Sequence, residues 1–434
     1  MTRELLPAPS RRSVMVGAGM VAASGPLAAI ARSYPRAMGT PLFRRGVNIH
    51  HMTNWPEIRN GVYLWPPFTY PRYRMSDAEV GQIRAAGFDF VRLTVDQTLL
   101  MDTGDPAHVA GFHDVIVSVA RRFLSAGLGI IVDLHPNRGD PRFRPDVIVA
   151  DENGPLFQRY VEVAAGLAAA TASLRSPRAA FELMNEPPLT TSPADVARWN
   201  RMLQRLHDAA RAVAPALPLL LDGVVFAKPE GTLALDTAPY RGSNVIVDFH
   251  YYEPLLFTAQ NTSPAQQDIT ALPWPARAGR LETSASRAEA MAGITAPQDQ
   301  RQRAGLARSR LEHYFQKDFS EANVTRDFTA LADWAGRSGV ARSRMLMGEF
   351  GVARSQPGFA AAEDADRFRW LSTVRRAAED QGFGWCLWCY KGHDLGLTQA
   401  DGSFDQVTLS ALDLGVRGGQ GRPTRPLRIT RPGL

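Results

Sequence analysis

Two glutamates lie at the ends of apolar, strand-like runs of sequence, where a turn is expected to begin. Glu186 follows AAFELMN (179–185) and precedes two prolines, and Glu349 lies near the end of RMLMGEF (344–350). Proline cannot donate to a sheet ladder, so the two prolines end the first run and place Glu186 at a strand's carboxyl end. Two facing carboxylates suit cleavage of a glycosidic bond, since one protonates the leaving oxygen and the other attacks the anomeric carbon. We therefore predict Glu186 as the acid and Glu349 as the nucleophile.

Other polar or aromatic side chains recur at the ends of similar runs. A single glutamate beside a proline would indicate only a solvated carboxylate, but six such strand ends are unexpected in an apolar sheet, because buried charges are costly unless paired. The residues are Arg92, His135, Asn185 with Glu186, His250 with Tyr252, Glu349 and Trp388. Arg92 and Tyr252 are expected to lower the pKa of Glu349. Proximity to that ionised carboxylate is expected to raise the pKa of Glu186.

These strand ends belong to eight short apolar runs of sequence. Most of the runs are followed by a helix-like stretch. The runs span 44–50, 89–95, 128–135, 179–185, 217–223, 244–250, 344–350 and 383–390. Predicted helices include 76–87, 112–127, 160–174, 194–213 and 364–382, the first with a capping box of Ser76 and Glu79. Alternating strands and helices indicate a parallel sheet covered on its outside. Eight repeats predict an α/β fold, a single (β/α)8 TIM barrel, with a doubly wound sheet as the structural alternative.

The interval between the sixth and seventh runs is much the longest. It extends from residue 244 to residue 344, so we predict a long insertion after the sixth strand. Residues 258–280 show no sustained helical or strand period and are predicted to form an ordered loop, with solvent-exposed disorder as the alternative. Because this loop leaves the sixth strand at the barrel mouth, we expect it to wall one side of the cleft. Trp274 or Phe257 would then touch sugar or pack against the rim.

Both ends of the chain differ in composition from the predicted barrel. Arg11-Arg12 precedes an apolar stretch rich in small residues, which is typical of a twin-arginine export signal. A membrane anchor would need roughly 20 strongly apolar residues, and this stretch is shorter. We expect residues 1–31 to be a cleaved signal, 40–415 the catalytic domain and 416–434 a basic Gly/Pro-rich tail. The mature protein would then be periplasmic or secreted, without stable membrane insertion.

Charge and cysteine content argue against other functional classes. The net charge is +6, but the arginines are scattered with no Lys/Arg block, so no nucleic-acid partner is predicted. Cys386 and Cys389 lie three positions apart on a predicted strand and point to opposite faces, too far apart for a disulfide. We predict two free, mostly buried thiols. Adjacent His50 and His51 also point to opposite faces and cannot chelate one ion, so no metal or cofactor is predicted.

The segments around these strand ends resemble glycoside hydrolase family 5, the cellulase-like family of retaining (β/α)8 glycosidases. The segments are RLTV, DLHP, LMNEPP, DFHYYEP, MGEFGV and LWCYKG, and the likeness covers residues 44–395. The resemblance implies Glu186 as acid/base and Glu349 as nucleophile. It also implies a substrate-binding set, which comprises Arg92, His135, Asn185, His250, Tyr252 and Trp388. In this set Asn185 would donate to the sugar 2-hydroxyl, and Trp388 would be the sugar platform.

Aromatic side chains in the loop after the first strand bear on the substrate class. Trp55 and Trp65 lie in this loop with several tyrosines and Phe68, and flat aromatic faces suit β-linked glucosyl residues. For about half of them the alternative is packing within the loop. The resemblance implies an endo-acting hydrolase of cellulose-like β-glucan or bacterial exopolysaccharide, which we expect to be a monomer. A mannanase, a β-1,3-glucan hydrolase and a non-catalytic sugar-binding protein are the alternatives.

Overall fold

The computed structural model describes residues 43–392 and 394–415, which are organised around a closed barrel of eight parallel strands. We number the strands in chain order: β1 Arg45–Ile49, β2 Phe90–Asp96, β3 Gly129–His135, β4 Ala179–Glu182, β5 Leu219–Asp222, β6 Val245–His250, β7 Met345–Phe350 and β8 Gly384–Leu387. Each strand pairs in parallel with the next, and β1 closes the barrel by pairing with both β2 and β8. The predicted (β/α)8 barrel is confirmed. The predicted export signal and basic tail lie outside the described residues.

Helices alternate with the strands along the chain. They span Asp77–Ala86, Thr98–Asp102, Pro106–Ser125, Pro145–Ile148, Pro155–Ala172, Pro193–Val213, Pro229–Leu233, Leu255–Thr258, Leu281–Thr295, Gln300–Lys317, Glu321–Ser338, Asp364–Asp380 and Gln406–Ala411. The predicted capping box is present, since Ser76 Oγ accepts from the Glu79 amide and the Glu79 carboxylate accepts from the Ser76 amide. All five predicted helices form. Three begin earlier than predicted, each with a proline in its first turn.

Side chains that face the barrel interior change from apolar to polar along the strands. An apolar layer fills the amino-terminal end: Phe43, Phe90, Ile131, Ala180, Leu220, Ile246, Leu346 and Cys386. Side chains two residues apart on a strand share a face, so the next interior layer is set by the same register. That layer holds Asn48, Arg92, Asp133, Glu182, Asp222 and Asp248, all essentially without exposed surface. The mouth of the barrel therefore lies on a buried layer of charged and polar groups.

The insertion after β6 consists of a loop followed by helices. Residues 259–280 contain only a short 3-10 turn, Ala276–Ala278, and three longer helices occupy most of residues 281–338. Trp274 is 0% exposed and packs against Phe257, which is also buried. The Trp274 amide donates to Asp366 Oδ1 at 3.1 Å, so the loop is attached to helix Asp364–Asp380. The prediction that Trp274 contacts sugar is wrong, because a side chain without exposed surface packs the insertion instead.

The two cysteines are free and buried, as predicted. Cys386 lies within β8, and its sulfur accepts a hydrogen bond from Asn48 Nδ2 at 3.3 Å. Burial raises the pKa of Cys386 well above its ordinary value, so this thiol is protonated at neutral pH. Within the described residues, no helix is both long and apolar enough to cross a bilayer.

Candidate active site

Asn185 and Glu186 lie in the loop after β4 rather than at the end of the strand. β4 ends at Glu182, so the predicted strand was three residues too long. Glu186 has a left-handed backbone with φ of +50°, and its amide donates to Asp222 Oδ2 at 3.2 Å. Non-glycine residues rarely adopt this conformation, and those that do cluster at functional sites. The bend turns the Glu186 side chain toward the barrel mouth, where it meets His250 from β6.

Glu349 is almost fully buried at the end of β7 and is surrounded by donors. Arg92 Nη1 donates to its Oε1 at 2.9 Å, and the Tyr252 hydroxyl donates to its Oε2 at 3.0 Å. His250 Nδ1 lies 3.7 Å from Oε2. Both carboxylate oxygens are therefore fixed in position, as a nucleophile in a constrained geometry requires.

Glu186 shares a hydrogen bond with His250. Glu186 Oε1 and His250 Nδ1 are 2.8 Å apart, and the other ring nitrogen, Nε2, lies 3.6 Å from Asp248 Oδ2. The Glu186 side chain is 32% exposed, whereas that of Glu349 is 6% exposed, so Glu186 is the more open to the cleft. One oxygen from each glutamate and one nitrogen of His250 lie within 4.8 Å of one another.

Electrostatics in this cluster differ from the prediction. Burial alone would lower the pKa of His250, but the charge of Glu349 and the contacts with Asp248 and Glu186 raise it well above its ordinary value. Burial alone would raise the pKa of Glu186, yet the hydrogen bond and charge of His250 outweigh burial and lower it. Burial raises the pKa of Glu349 despite the opposing charges of His250 and Arg92. The pKa values of both glutamates thus shift opposite to expectation, and the raised pKa of His250 favours a proton on the Glu186–His250 pair.

Arg92 is the cation at the centre of the buried layer. Its Nε and Nη2 donate to the two oxygens of Glu182 at 2.7 and 2.6 Å, and Nη2 lies 3.0 Å from Asp133 Oδ2. Nη2 also donates to Asn185 Oδ1 at 2.7 Å. The planar guanidinium therefore binds carboxylates from three strands and positions Asn185. Sequence analysis placed Arg92 at the site but missed Glu182 and Asp133.

Asp222 and Asp248 were also missed. Burial, followed by the charge of Asp248, raises the pKa of Asp222 well above its ordinary value. An added Cβ at Gly348 would overlap the Asp248 carboxylate, so this glycine makes room for it. The sequence signal that could have identified these residues is the alternation of side chains along a strand, in which every second residue faces the same side. Counting back two positions from His250 gives Asp248, which faces the same interior.

Two groups of side chains among the described residues have the spacing of a cation site. One comprises Glu182, Asp222, Asp248 and His250, and the other comprises Glu186, His250 and Glu349. Both oxygens of Glu182 are already bound by Arg92, which leaves the first group short of free ligands. His50 and His51 belong to neither group, and burial lowers the pKa of His50 to about 4. We interpret both groups as clusters of buried charged side chains, in which Glu186 and His250 share a hydrogen bond and Asp248 faces His250 Nε2 at 3.6 Å.

Trp388 and two histidines form a stacked surface on the opposite side of the mouth. The Trp388 ring stacks at 5.3 Å on His50 and at 5.7 Å on His135. His135 is oriented by Asp133 Oδ2, 2.7 Å from its Nδ1. Trp55 meets His50 edge-on at 5.2 Å and is 50% exposed, so its ring is available to a ligand. This is the position in which a sugar platform is expected.

Trp65 is placed differently from Trp55. It stacks on His108 with ring centroids 4.0 Å apart, so protein covers one of its faces. Its role in substrate binding stays a prediction.

A cleft of about 350 Å³ opens beside Glu186. Its lining comprises Glu186, Phe226, Lys228, His250, Tyr252, Leu255, Thr258, Ala259, Trp388 and Leu395. Leu255, Thr258 and Ala259 belong to the start of the insertion, so that segment does wall part of the cleft. Sequence analysis did not identify Phe226 or Lys228, because nothing in GVVFAKPEG marks a binding residue.

Comparisons with known proteins agree with this geometry. Residues 51–394 match the cellulase family, glycosyl hydrolase family 5. Cellodextrinase A of Ruminococcus flavefaciens is 27% identical over 205 residues, which cover 45% of this chain and 57% of that protein. Endoglucanase 3 of Fibrobacter succinogenes is 22% identical over 371 residues, covering 80% of this chain and 49% of that protein. The chain thus spans about half the length of these two relatives.

A solved structure shares the fold. The cellulose synthase subunit Z (CcsZ) from Clostridioides difficile superposes with a TM-score of 0.59 at 21% identity. The superposition covers 85% of this chain and 99% of that one. The likeness therefore extends over the whole barrel.

Proposed function

Because the chain belongs to glycosyl hydrolase family 5, we propose that it is a retaining endo-β-glycosidase that hydrolyses β-linked glucan by double displacement. The observation that carries this proposal is the approach of Glu186 and Glu349, which each offer an oxygen within 4.8 Å of the other. Carboxyl groups about 5–5.5 Å apart are typical of retaining enzymes, and about 6.5–9.5 Å of inverting ones. An oxygen-to-oxygen approach of this kind is closer to the retaining arrangement and favours a covalent intermediate on Glu349.

In the first step, a Glu349 oxygen attacks the anomeric carbon while the glycosidic C–O bond breaks. The leaving oxygen takes the proton held between Glu186 and His250, and a glycosyl ester forms on Glu349. In the second step, the Glu186–His250 pair takes a proton from water, and the oxygen of that water attacks the same carbon. The ester bond breaks and Glu349 regains its charge. Arg92 and Tyr252 hold Glu349 in position through both steps.

Asp248→Asn should move the alkaline limb of the pH profile to lower pH. The Asp248 carboxylate faces His250 Nε2 at 3.6 Å and, after Glu349, helps to raise the pKa of that imidazole. Because a raised pKa keeps the proton on the Glu186–His250 pair to higher pH, losing the carboxylate should release the proton, and the activity, earlier as pH rises. The measurement is kcat/KM against pH, which reports groups of the free enzyme.

Asp222→Asn is the matched control for this experiment. It replaces a carboxyl whose pKa burial raises and which is not among the groups that chiefly raise the pKa of His250, so the alkaline limb should stay in place. An unmoved limb in Asp248→Asn, or an equal shift in both variants, would contradict the assignment.

The preferred β-glycan is proposed from the aromatic surface. The ring of Trp55 is exposed and Trp388 lines the cleft, so both offer aromatic surface that suits β-linked glucosyl units. The test is release of reducing ends from cellulose-like β-1,4-glucan, mixed-linkage and β-1,3-glucan, mannan and purified exopolysaccharide. The proposal expects highest activity on a β-glucan or the exopolysaccharide, and Glu349→Gln should be inactive on all of them. Preference for mannan, or activity that survives in Glu349→Gln, would contradict it.

We further propose that the protein acts outside the cytoplasm as a monomer after export through the twin-arginine route. The support is the Arg11-Arg12 pair and the apolar stretch that follows it. Replacing both arginines with lysine should leave the protein in the cytoplasmic fraction. Unchanged export of that variant would argue against this route.

Trp274→Phe should leave KM for the polymer unchanged. The side chain is buried against Phe257, so the substitution should cost only packing, about 1–2 kcal/mol in the free energy of unfolding. The measurements are chemical denaturation and steady-state kinetics on polymer and on a small aryl glycoside. A rise of KM on polymer alone would restore a role for Trp274 in substrate binding.

A further inference from the structure

A second cavity, which we call the insertion groove, lies beside the cleft that holds Glu186. It has a volume of about 430 Å³ and is lined by the start of the insertion after β6 and by helix Gln300–Lys317. Leu255 lines both this groove and the cleft, and its side chain is 39% exposed. The two cavities therefore meet at Leu255, so a polymer that leaves the cleft over this residue enters the groove.

Apolar side chains form much of the insertion groove, and the largest of them is held in place. Tyr314 is 1% exposed, and its hydroxyl donates to the Pro273 carbonyl at 2.5 Å. The Tyr314 ring stacks on Phe319 with centroids 5.9 Å apart, and Leu256 also lines the groove. This part of the groove offers a fixed apolar surface to the carbon–hydrogen face of a sugar ring.

Polar side chains of helix Gln300–Lys317 form another part of the lining. Arg310 and His313 both line the groove, and residues three positions apart lie on the same face of a helix. Arg310 is half-buried, yet it has no ion pair or side-chain hydrogen bond with any residue that the structure describes. Its guanidinium is therefore free to bind a ligand in the groove.

Two other arginines of the same helix differ from Arg310, because protein carboxylates bind them. Arg303 lies 2.6 Å from Asp268, and Arg308 lies 2.7 Å from Glu282. None of the described residues that line the insertion groove is acidic. No lining residue therefore compensates the charge of Arg310. A guanidinium presents two parallel N–H groups that match the geometry of a carboxylate, so the groove favours an anionic ligand of that kind.

We propose that the insertion groove binds a carboxylate-bearing sugar of a polysaccharide that passes through the cleft, with Arg310 as the specificity-determining residue. The inference rests on the proposed hydrolysis and names its substrate class as an anionic β-glucan, one that carries uronic acid or carboxyl-substituted units. The apolar surface around Tyr314 would contact the sugar ring. Arg310 and an N–H group of His313 would donate to the carboxylate.

Arg310→Gln should separate two soluble polymers that share a β-1,4-glucan backbone. Carboxymethyl cellulose carries carboxylates, whereas hydroxyethyl cellulose is neutral. We expect kcat/KM to fall by about fivefold on carboxymethyl cellulose and by less than about twofold on hydroxyethyl cellulose, because only the first polymer can pair with Arg310. High salt should reduce the loss on carboxymethyl cellulose, since it screens the attraction between the two charges.

Two further variants serve as controls. Arg310→Lys keeps the charge and should lose no more than about twofold on carboxymethyl cellulose. Arg301→Gln makes the same change in net charge at an exposed position of the same helix that does not line the groove. The rates of Arg301→Gln on both polymers should therefore equal those of the unaltered enzyme.

The outcomes separate the role of the groove from the proposed hydrolysis. Equal losses on both polymers in Arg310→Gln, or no loss on either, would overturn the role of the groove while leaving the hydrolase proposal intact. A selective loss of the same size in Arg301→Gln would also overturn it, because the effect would then come from net charge alone. If the unaltered enzyme cleaved neither polymer, hydrolysis of β-1,4-glucan would be contradicted, and the groove proposal would fail with it.

Discussion

Replacing Glu349 with alanine should reduce turnover of β-glucan by a factor on the order of 10⁴ to 10⁶, because the variant has no group to form the glycosyl ester. The substitution also removes the acceptor of hydrogen bonds from Arg92 and Tyr252. The measurement is the initial rate on soluble polymer, with circular dichroism to verify folding. A variant that kept a tenth of the wild-type rate would contradict the nucleophile assignment.

Azide provides the matched comparison between the two glutamates. In Glu349→Ala, azide can occupy the vacated space and attack an activated substrate directly, so the product should be a glycosyl azide of inverted configuration. In Glu186→Ala, the ester still forms on Glu349 and azide replaces water in the second step, so the product should be the retained β-azide. If both variants gave the same configuration, the two roles would be misassigned.

Arg92→Met should lower the free energy of unfolding at neutral pH by about 3–5 kcal/mol, because it leaves buried carboxylates without their counter-charge. In the unaltered protein, the Arg92 guanidinium lies at the centre of the barrel and contacts Glu182, Asp133 and Glu349. The deficit should shrink at acidic pH, where these carboxyls are protonated and need no partner. Chemical denaturation at two pH values measures both effects.

Arg92→Lys is the control for the shape of the guanidinium. It keeps the charge but cannot donate to Glu182 through two nitrogens, so an intermediate loss is expected. A loss below about 1 kcal/mol for Arg92→Met would mean that the carboxylates of this layer do not depend on Arg92.

Much of the fold could be predicted because each barrel strand is short, apolar and followed by a helix signal. The residues at which strands end could be predicted less well. The run 179–185 is apolar throughout, yet β4 ends at Glu182 because the chain must bend to bring Glu186 over the mouth. The helices of the insertion were not predicted. Gln300–Lys317 carries five arginine or lysine residues and buries only three side chains, so its apolar periodicity is weak.

The residues proposed to be catalytic could be predicted from the sequence because their types and order match a known pattern, but the shifts of their pKa values could not. Treating the strands as apolar along their length hid Asp133, Glu182 and Asp248, which face the interior in register with Arg92. The pKa of Glu186 is lowered because Nδ1 of His250 contacts its carboxylate. These two residues are 64 positions apart in the sequence. Phe226 was missed for a similar reason, since its exposure results from a left-handed backbone that no local sequence signal marks.

The most direct test of the account is the configuration of the first product released. Hydrolysis of a soluble β-glucan oligosaccharide would be followed by proton NMR, with enough enzyme to complete cleavage before the new reducing end mutarotates. Double displacement through Glu349 predicts that the β-anomer appears first and the α-anomer only later, as mutarotation proceeds. Initial appearance of the α-anomer would show single displacement and would contradict the roles assigned to Glu186 and Glu349.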